Sequence, residues 1–344
     1  MRFTWFIARR IIGQRSHRSS VSGPIITIGI IAIALGVITM LIAIGTGVGL
    51  QNKIGQKVAA FSGHIRVTTL ENSQQQETLK PLEEAQTIQI TLQNQVNVSA
   101  VQSVAYVPGV ILNQNAFDGI VFKGIDDSFN PEFFSFFGDS EKISALGTQD
   151  IWISTDLANK LALSIGDRVP LYFASEETAM PKRRSCNVVG LFTTGFSDYD
   201  NTYVLGHLDI IRSLYGWDSN QVGAFELFLD NSSDLSAQSD VLYDSIDALV
   251  DVQHIEEQFP EIFNWIRLFG TNISLIIIIM IIVGGVNMIT ALLVLILEQT
   301  QLIGITRVMG ASVRSLQQLF LIQGGYLIGV GLFLGNLIGL GLLF

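Results

Sequence analysis

The chain holds only one cysteine, Cys186, in 344 residues. No internal disulfide is possible, so whatever domain it builds must stand on its own core, which excludes the small disulfide-stapled folds. Residues that make enzyme sites are also thin. The four histidines (His17, His64, His207, His254) are scattered, and none sits at metal-ligand spacing from a carboxylate or from Cys186. No G-x-x-x-x-G-K-[ST] occurs, so the chain has no phosphate-binding loop of its own, and no G-x-S-x-G nucleophile elbow occurs either. The paired acids Glu176–Glu177 and Glu256–Glu257 read as solvated faces. These absences point to a protein with no catalytic residues, no metal and no cofactor of its own. Charge, too, is missing over long runs: none falls between Ser19 and Asn52, from Leu268 to Leu297, or from Ser315 to Phe344.

What fills those runs is apolar. At 49% hydrophobic residues the chain exceeds an ordinary soluble protein. A helix needs about 20 apolar residues to cross a bilayer. The sequence therefore predicts three crossings, at 23–51, 267–297 and 319–344. The first has an apolar stretch of about 26 residues, too long for the 7–15-residue core of a signal peptide, so a retained helix is expected. Residues 1–22 carry Arg2, Arg9, Arg10, Arg15 and Arg18 and no acid, and the 298–318 connector carries Arg307 and Arg314 against Glu298. By the positive-inside rule both lie in the cytoplasm, and residues 52–266 form an exterior domain. The stretch from 52 to 267 has 13 basic and 29 acidic residues, a balance of −16. An acidic exterior without a basic patch argues against nucleic acid as a partner.

The first 22 residues set Phe3, Phe6, Ile7 and Ile11 among arginines and predict an amphipathic helix on the inner membrane surface. The exterior reads as α+β. Strands are predicted at 64–69, 103–107, 119–124, 150–154, 168–174, 187–193 and 222–229, and helices at 83–95, 155–163, 207–215 and 233–248. The polar stretches 71–81 and 175–186 read as loops. Pro260 marks a helix start leading into the second crossing.

Inside the predicted membrane segments, Gly331, Gly335 and Gly339 recur at four-residue spacing, a pattern that lets two helices meet backbone to backbone. Met40, Ile44 and Val48 make an apolar stripe on the first crossing. It either packs on a neighbouring helix or lines a path for an apolar ligand. In the connector, Leu302, Ile303, Ile305, Val308 and Met309 lie among polar residues and predict a short amphipathic helix ended by Gly310, with Ser312 or Ser315 capping the next helix. Such a helix lies in the lipid interface or fits an apolar face into a groove on a cytoplasmic protein. With only two basic residues for anionic lipid, the protein partner is favoured.

The segment LEQTQLIGITRVMGAS (297–312) resembles the coupling segment of FtsX/MacB-type ABC permeases. FIARR (6–10) and SGHIRV (62–67) resemble the start of lipoprotein-releasing (Lol) permeases of the C and E types. GIVFKGID (119–126), ISTDLANKLALSIGDRVPLYF (153–173) and NVVGLF (187–192) resemble their periplasmic domain. The motifs occur in the family's order over nearly the whole chain. The resemblance implies an α-helical inner-membrane protein with a large α+β periplasmic core domain inserted between the first two of four crossings, the fourth being expected after residue 344. It implies an FtsX-like permease domain over 267–344. It further implies a subunit that is not an enzyme, whose ATP is bound by a separate cytoplasmic ABC ATPase (LolD-like), with Glu298, Leu302, Ile303, Gly304, Ile305, Arg307, Val308, Met309 and Gly310 coupling the two. A second permease subunit, lipoprotein cargo, membrane lipid and a periplasmic chaperone complete the expected partners, with Met40, Ile44 and Val48 on the lipoprotein path. An FtsX-like transmitter to cell-wall hydrolases, a MacB-like efflux permease, and a membrane sensor or scaffold without ATPase are the alternatives.

Overall fold

The computed structural model describes residues 22–75, 78, 80–113, 116–127, 129, 146–174, 180–230, 234–246 and 249–343; the amphipathic helix expected at 1–22 falls almost wholly outside them. The chain divides into two compact units, a helical one (1–52 and 264–344) and a sheet-based one (53–263).

Among the described residues, three helices are long and apolar enough to cross a membrane. They are α1 (Ser22–Ser62), α9 (Pro260–Glu298) and α11 (Val313–Leu343). All three run past the apolar segments, α1 by eleven residues beyond 51. Once a helix is nucleated, each added residue closes one more backbone bond, so a change from apolar to polar side chains does not stop it. What stops α1 is Gly63, whose φ of +73° suits a residue without a Cβ, and whose N–H bonds back to Ala59 O at 2.8 Å. A Cβ there would also stand 3.0 Å from that of Glu226.

The sheet unit orders its strands β3-β7-β4-β6-β5-β2-β8-β1-β9, with β2 also paired to β3. In chain order they are β1 (Ile65–Thr69), β2 (Val98–Asn113), β3 (Ala116–Ile125), β4 (Asp150–Ser154), β5 (Arg168–Phe173), β6 (Lys182–Phe192), β7 (Tyr203–His207), β8 (Ala224–Leu229) and β9 (Val250–His254). The β2–β3 pairing closes six strands (β2, β3, β7, β4, β6, β5) into a ring, and β8, β1 and β9 extend it. The ring closes because β2 is long enough to change partner along one edge: residues 98–104 pair with β8 and 109–111 with β5. The change falls at Pro108–Gly109, where Pro108 has no N–H to give and a Cβ on Gly109 would sit 3.0 Å from Tyr172 O.

Alternation along the strands gives two cores. Ile65, Val67, Ala105, Val107, Phe122, Phe225 and Leu227 belong to one. It is covered by α3 (Ala85–Gln93), α4 (Thr155–Leu161), whose first turn is capped by Ser154 Oγ accepting from Leu157 N at 3.0 Å, and α6 (Leu208–Tyr215). Val104, Tyr106, Ile125 and Ala224 point the other way, into a second core with Val58, Ala59, Ala60 and Phe61 at the end of α1. Two expected loops are partly structured: 70–75 forms a short helix, α2, and β6 begins at Lys182, inside the stretch read as loop 175–186. Helices α5 (Ser197–Thr202), α7 (Leu235–Ser245) and α8 (Ile255–Gln258) complete this unit.

Cys186 is buried on β6, and that burial pushes its thiol up from 9.0 to about 11. A raised acid favours the folded state fully below pH 9, and the contribution is lost as pH climbs through about 11. The unfolding free energy of the wild type relative to Cys186→Ala is therefore expected to fall by about 2 kcal/mol between pH 8 and pH 11. Denaturant unfolding of the two proteins at both pH values checks this; a constant difference contradicts it.

Candidate functional site

The connector between α9 and α11 folds as α10 (Thr300–Val308). Met309 N bonds to Ile305 O, Gly310 N to Arg307 O and Ala311 N to Thr306 O. Gly310 takes φ +94°, which ends the helix. Ser312, not Ser315, caps α11: its Oγ accepts from Ser315 N at 3.3 Å. Ile305, Val308 and Met309, at i, i+3 and i+4, are 56%, 90% and 80% exposed. They form one apolar ridge that is left uncovered among the described residues. Ile303 is half-buried, while Gly304, Arg307 and Gly310 are exposed. The side chains of Glu298 and Leu302 lie outside the described residues.

In the helical unit, Gly331, Gly335 and Gly339 are buried against α1. A Cβ on Gly331 would stand 2.7 Å from Ile33, one on Gly335 2.9 Å from Ala34 O, and one on Gly339 2.7 Å from Leu41. The backbones of α1 and α11 meet along this stripe. Beside it lies an apolar groove of about 640 Å³ whose walls include Gly36 and Met40 of α1, Gly284, Asn287 and Met288 of α9, and Leu332 of α11. Of the predicted apolar stripe, Met40 lines this groove. Ile44 is half-buried and Val48 is 45% exposed, and neither is part of the groove wall.

The sheet unit contains a constellation that sequence reading missed. Lys123 of β3 and Glu226 of β8 are both fully buried, and Lys123 Nζ lies 2.9 Å from both carboxylate oxygens. Tyr106 Oη and Gln102 Nε2 donate to the same carboxylate, and Lys123 Nζ also donates to Phe61 O in the last turn of α1. The ammonium stands 4.8 Å from the Phe61 ring centroid and 5.4 Å from that of Tyr106. Strand register aligns Arg66, Glu226 and Gln102 in one row across β1, β8 and β2. Burial pulls the Lys123 ammonium below its usual range, and the Glu226 charge opposes that. Burial, with Glu226 beside it, raises Tyr106 far above 10, and burial alone leads the upward shifts of Tyr199 and Tyr203. The available signal was one charge in each of two otherwise apolar strand segments, GIVFKGI and AFELFL. A charge facing a core must find a counterion. Among the described residues, no group of three or more His, Cys, Asp or Glu is placed to hold a metal.

The model of the MacB-like periplasmic core domain matches residues 25–240. A lipoprotein-releasing system transmembrane protein LolC from Neisseria meningitidis is 22% identical over 322 residues, covering 91% of this chain and 75% of the relative. Its counterpart from Xylella fastidiosa is 21% identical over 198 residues, 56% of this chain and 47% of that one. Among solved structures, the periplasmic region of MacB from Actinobacillus actinomycetemcomitans covers 58% of this chain and 92% of that one, at 12% identity and TM-score 0.37. The extracellular domain of the transporter YknZ from Gram-positive bacteria covers 55% and 99%, at 14% identity and TM-score 0.36. The core-domain match, spanning well over half of the sequence, places this chain in the MacB-like periplasmic core domain family, as an ABC permease of the FtsX/MacB type.

Proposed function

We propose that this chain is the permease subunit of an inner-membrane ABC transporter that lifts lipoproteins out of the membrane for release toward the outer membrane. The observation that carries the permease reading is the bare apolar ridge Ile305–Val308–Met309 on α10. With the arginine-rich ends inside, α10 lies in the cytoplasm, and an apolar ridge there is a seat for a separate ATPase. A second permease subunit, identical or paralogous, completes the transporter. The chain itself carries out no chemistry; it converts closure of the ATPase into movement of its helices.

The lipoprotein reading rests on the groove and on the similarity to LolC, a transmembrane protein of a lipoprotein-releasing system. An acyl chain leaving the bilayer loses about 0.8 kcal/mol for each CH₂ that meets water, so it must follow an apolar surface. The groove of α1, α9 and α11 offers one, with Gly36 and Gly284 leaving room where side chains would fill it. Photo-crosslinkers at Met40 and Met288 are expected to capture a triacylated lipoprotein before ATP is added and to lose it afterwards, while one at Leu342 captures none. Capture of neighbouring helices alone, with or without ATP, would refute the lipoprotein reading and favour a transmitter to cell-wall hydrolases.

A further inference from the structure

The buried cluster beneath the end of α1 serves neither ridge nor groove. Several facts define it. The last turn of a helix leaves carbonyls without intrahelical partners, and Lys123 reaches up from β3 to take that of Phe61. Its charge sits at the negative end of the helix dipole. Glu226, from β8, holds the same ammonium with both oxygens and is itself fixed by Tyr106 and Gln102 from β2. One turn earlier, Lys57 of α1 donates to Thr194 O at 3.1 Å. That loop is tied in turn, since Asp200 accepts from Thr194 N, Thr194 Oγ1 and Gly195 N. The end of α1 is thus bonded to β3, through Lys123 to Glu226 of β8, and to the β6–α5 loop.

Such an arrangement is a poor way to gain stability, because a buried ion pair is commonly matched or bettered by apolar residues of the same volume. What apolar residues do not supply is direction. Aromatic and aliphatic surfaces slide over one another at small cost, whereas a helix end held by directed hydrogen bonds keeps its register on the sheet. We propose that Lys123 and Glu226 act as positioning residues of the transport cycle, locking the end of α1 to β3 and β8 so that displacement of the helix is delivered to the sheet instead of being lost in slip. This rests on the permease reading above, since a static scaffold has no displacement to deliver.

The test uses the full chain with its ATPase in proteoliposomes. Lys123→Met/Glu226→Leu replaces the pair by apolar residues of similar volume. The readout is the coupling ratio, lipoprotein released per ATP hydrolysed, which a cluster with a purely structural role would not change in a folded protein. The double variant leaves Tyr106, Gln102 and the Phe61 carbonyl without these partners, so it is expected to melt at a lower temperature than wild type, yet below that midpoint to keep ATP hydrolysis within twofold of wild type, while the ratio falls at least tenfold. Spin labels at Gln56 and Phe117 should give one narrow distance distribution in the wild type, with and without nucleotide, and a broad one in the variant. An unchanged ratio with a narrow distribution overturns the lock. If the double variant does not assemble, Glu226→Gln is read in the same way, since it keeps shape and one acceptor oxygen but removes the charge holding Lys123. It is expected to lower the ratio at least threefold, and a ratio equal to wild type overturns the lock. Should wild type with its ATPase release no lipoprotein at all, the lipoprotein reading fails on its own, and the spin-label distances still decide the lock.

Discussion

Replacing Gly335 with leucine is expected to break the packing of α11 on α1. The obstacle is backbone: a Cβ at 335 would stand 2.9 Å from Ala34 O and 2.8 Å from Val37 Cβ, and a carbonyl of α1 cannot rotate aside as a side-chain tip can. Relief requires the two helices to move apart, which also forfeits the close contacts at Gly331 and Gly339. Overpacking a tight interior costs about 1–3 kcal/mol for small insertions; with a whole isobutyl group and three linked contacts, about 3 kcal/mol or more is expected. Gly329 and Gly341 lie on the same helix with nothing within 4 Å of their Cβ positions. Leucine there should change stability by about 0.5 kcal/mol or less. Thermal unfolding of the purified subunit in detergent compares the three variants. Equal losses at 329, 335 and 341 would mean that the glycine stripe has no special part in packing.

Met309→Asp is the second large effect. If the ridge of α10 seats in an apolar groove of an ATPase, the substitution buries a carboxylate that has no counterion, and the complex must either desolvate it or come apart. A loss of about 3 kcal/mol in docking corresponds to a hundredfold or greater weakening. ATP-driven transport should therefore fall more than tenfold, with insertion and folding intact because Met309 is 80% exposed. Ile305→Asp should behave alike. Thr300→Asp, on the far side of the same helix, should bind the ATPase as wild type does. Wild-type transport by Met309→Asp would remove the ridge from the docking surface.

The elements that sequence reading located are those whose side chains announce their surroundings. β4 and β5 are dense in Val, Ile, Phe or Trp, and α10 carries its apolar residues at helical spacing. Strands β7 (YVLGH) and β9 (VDVQH) were not legible, because each alternates or mixes polar residues over only five positions. Their strand state comes from pairing with β3 and β4, and with β1, not from local preference. Helix α2 (LENSQQ) is polar after Leu70 and carries no apolar periodicity to mark it as a helix. Of the site, the ridge could be read because its parts are neighbours in sequence. The Lys123–Glu226 pair could not: its members are 103 residues apart, and only the sheet register brings them together. The groove needs three helices in place, so the apolar stripe alone did not tell Met40, which lines it, from Ile44 and Val48, which do not.

The position of β1 has a consequence for how the protein is made. Ile65 pairs with Leu227 on one side and His254 on the other. A strand near the start of the domain thus waits for partners encoded more than 160 residues later. At synthesis rates of about 5–20 residues per second, the delay is roughly 10–30 s, against microseconds for a hairpin such as β2–β3 to close. Throughout that interval Ile65 and Val67 have no core to enter. The ring of six strands needs neither β1 nor β9 and can form first, leaving β1 to be fastened last, once β8 and β9 have been made.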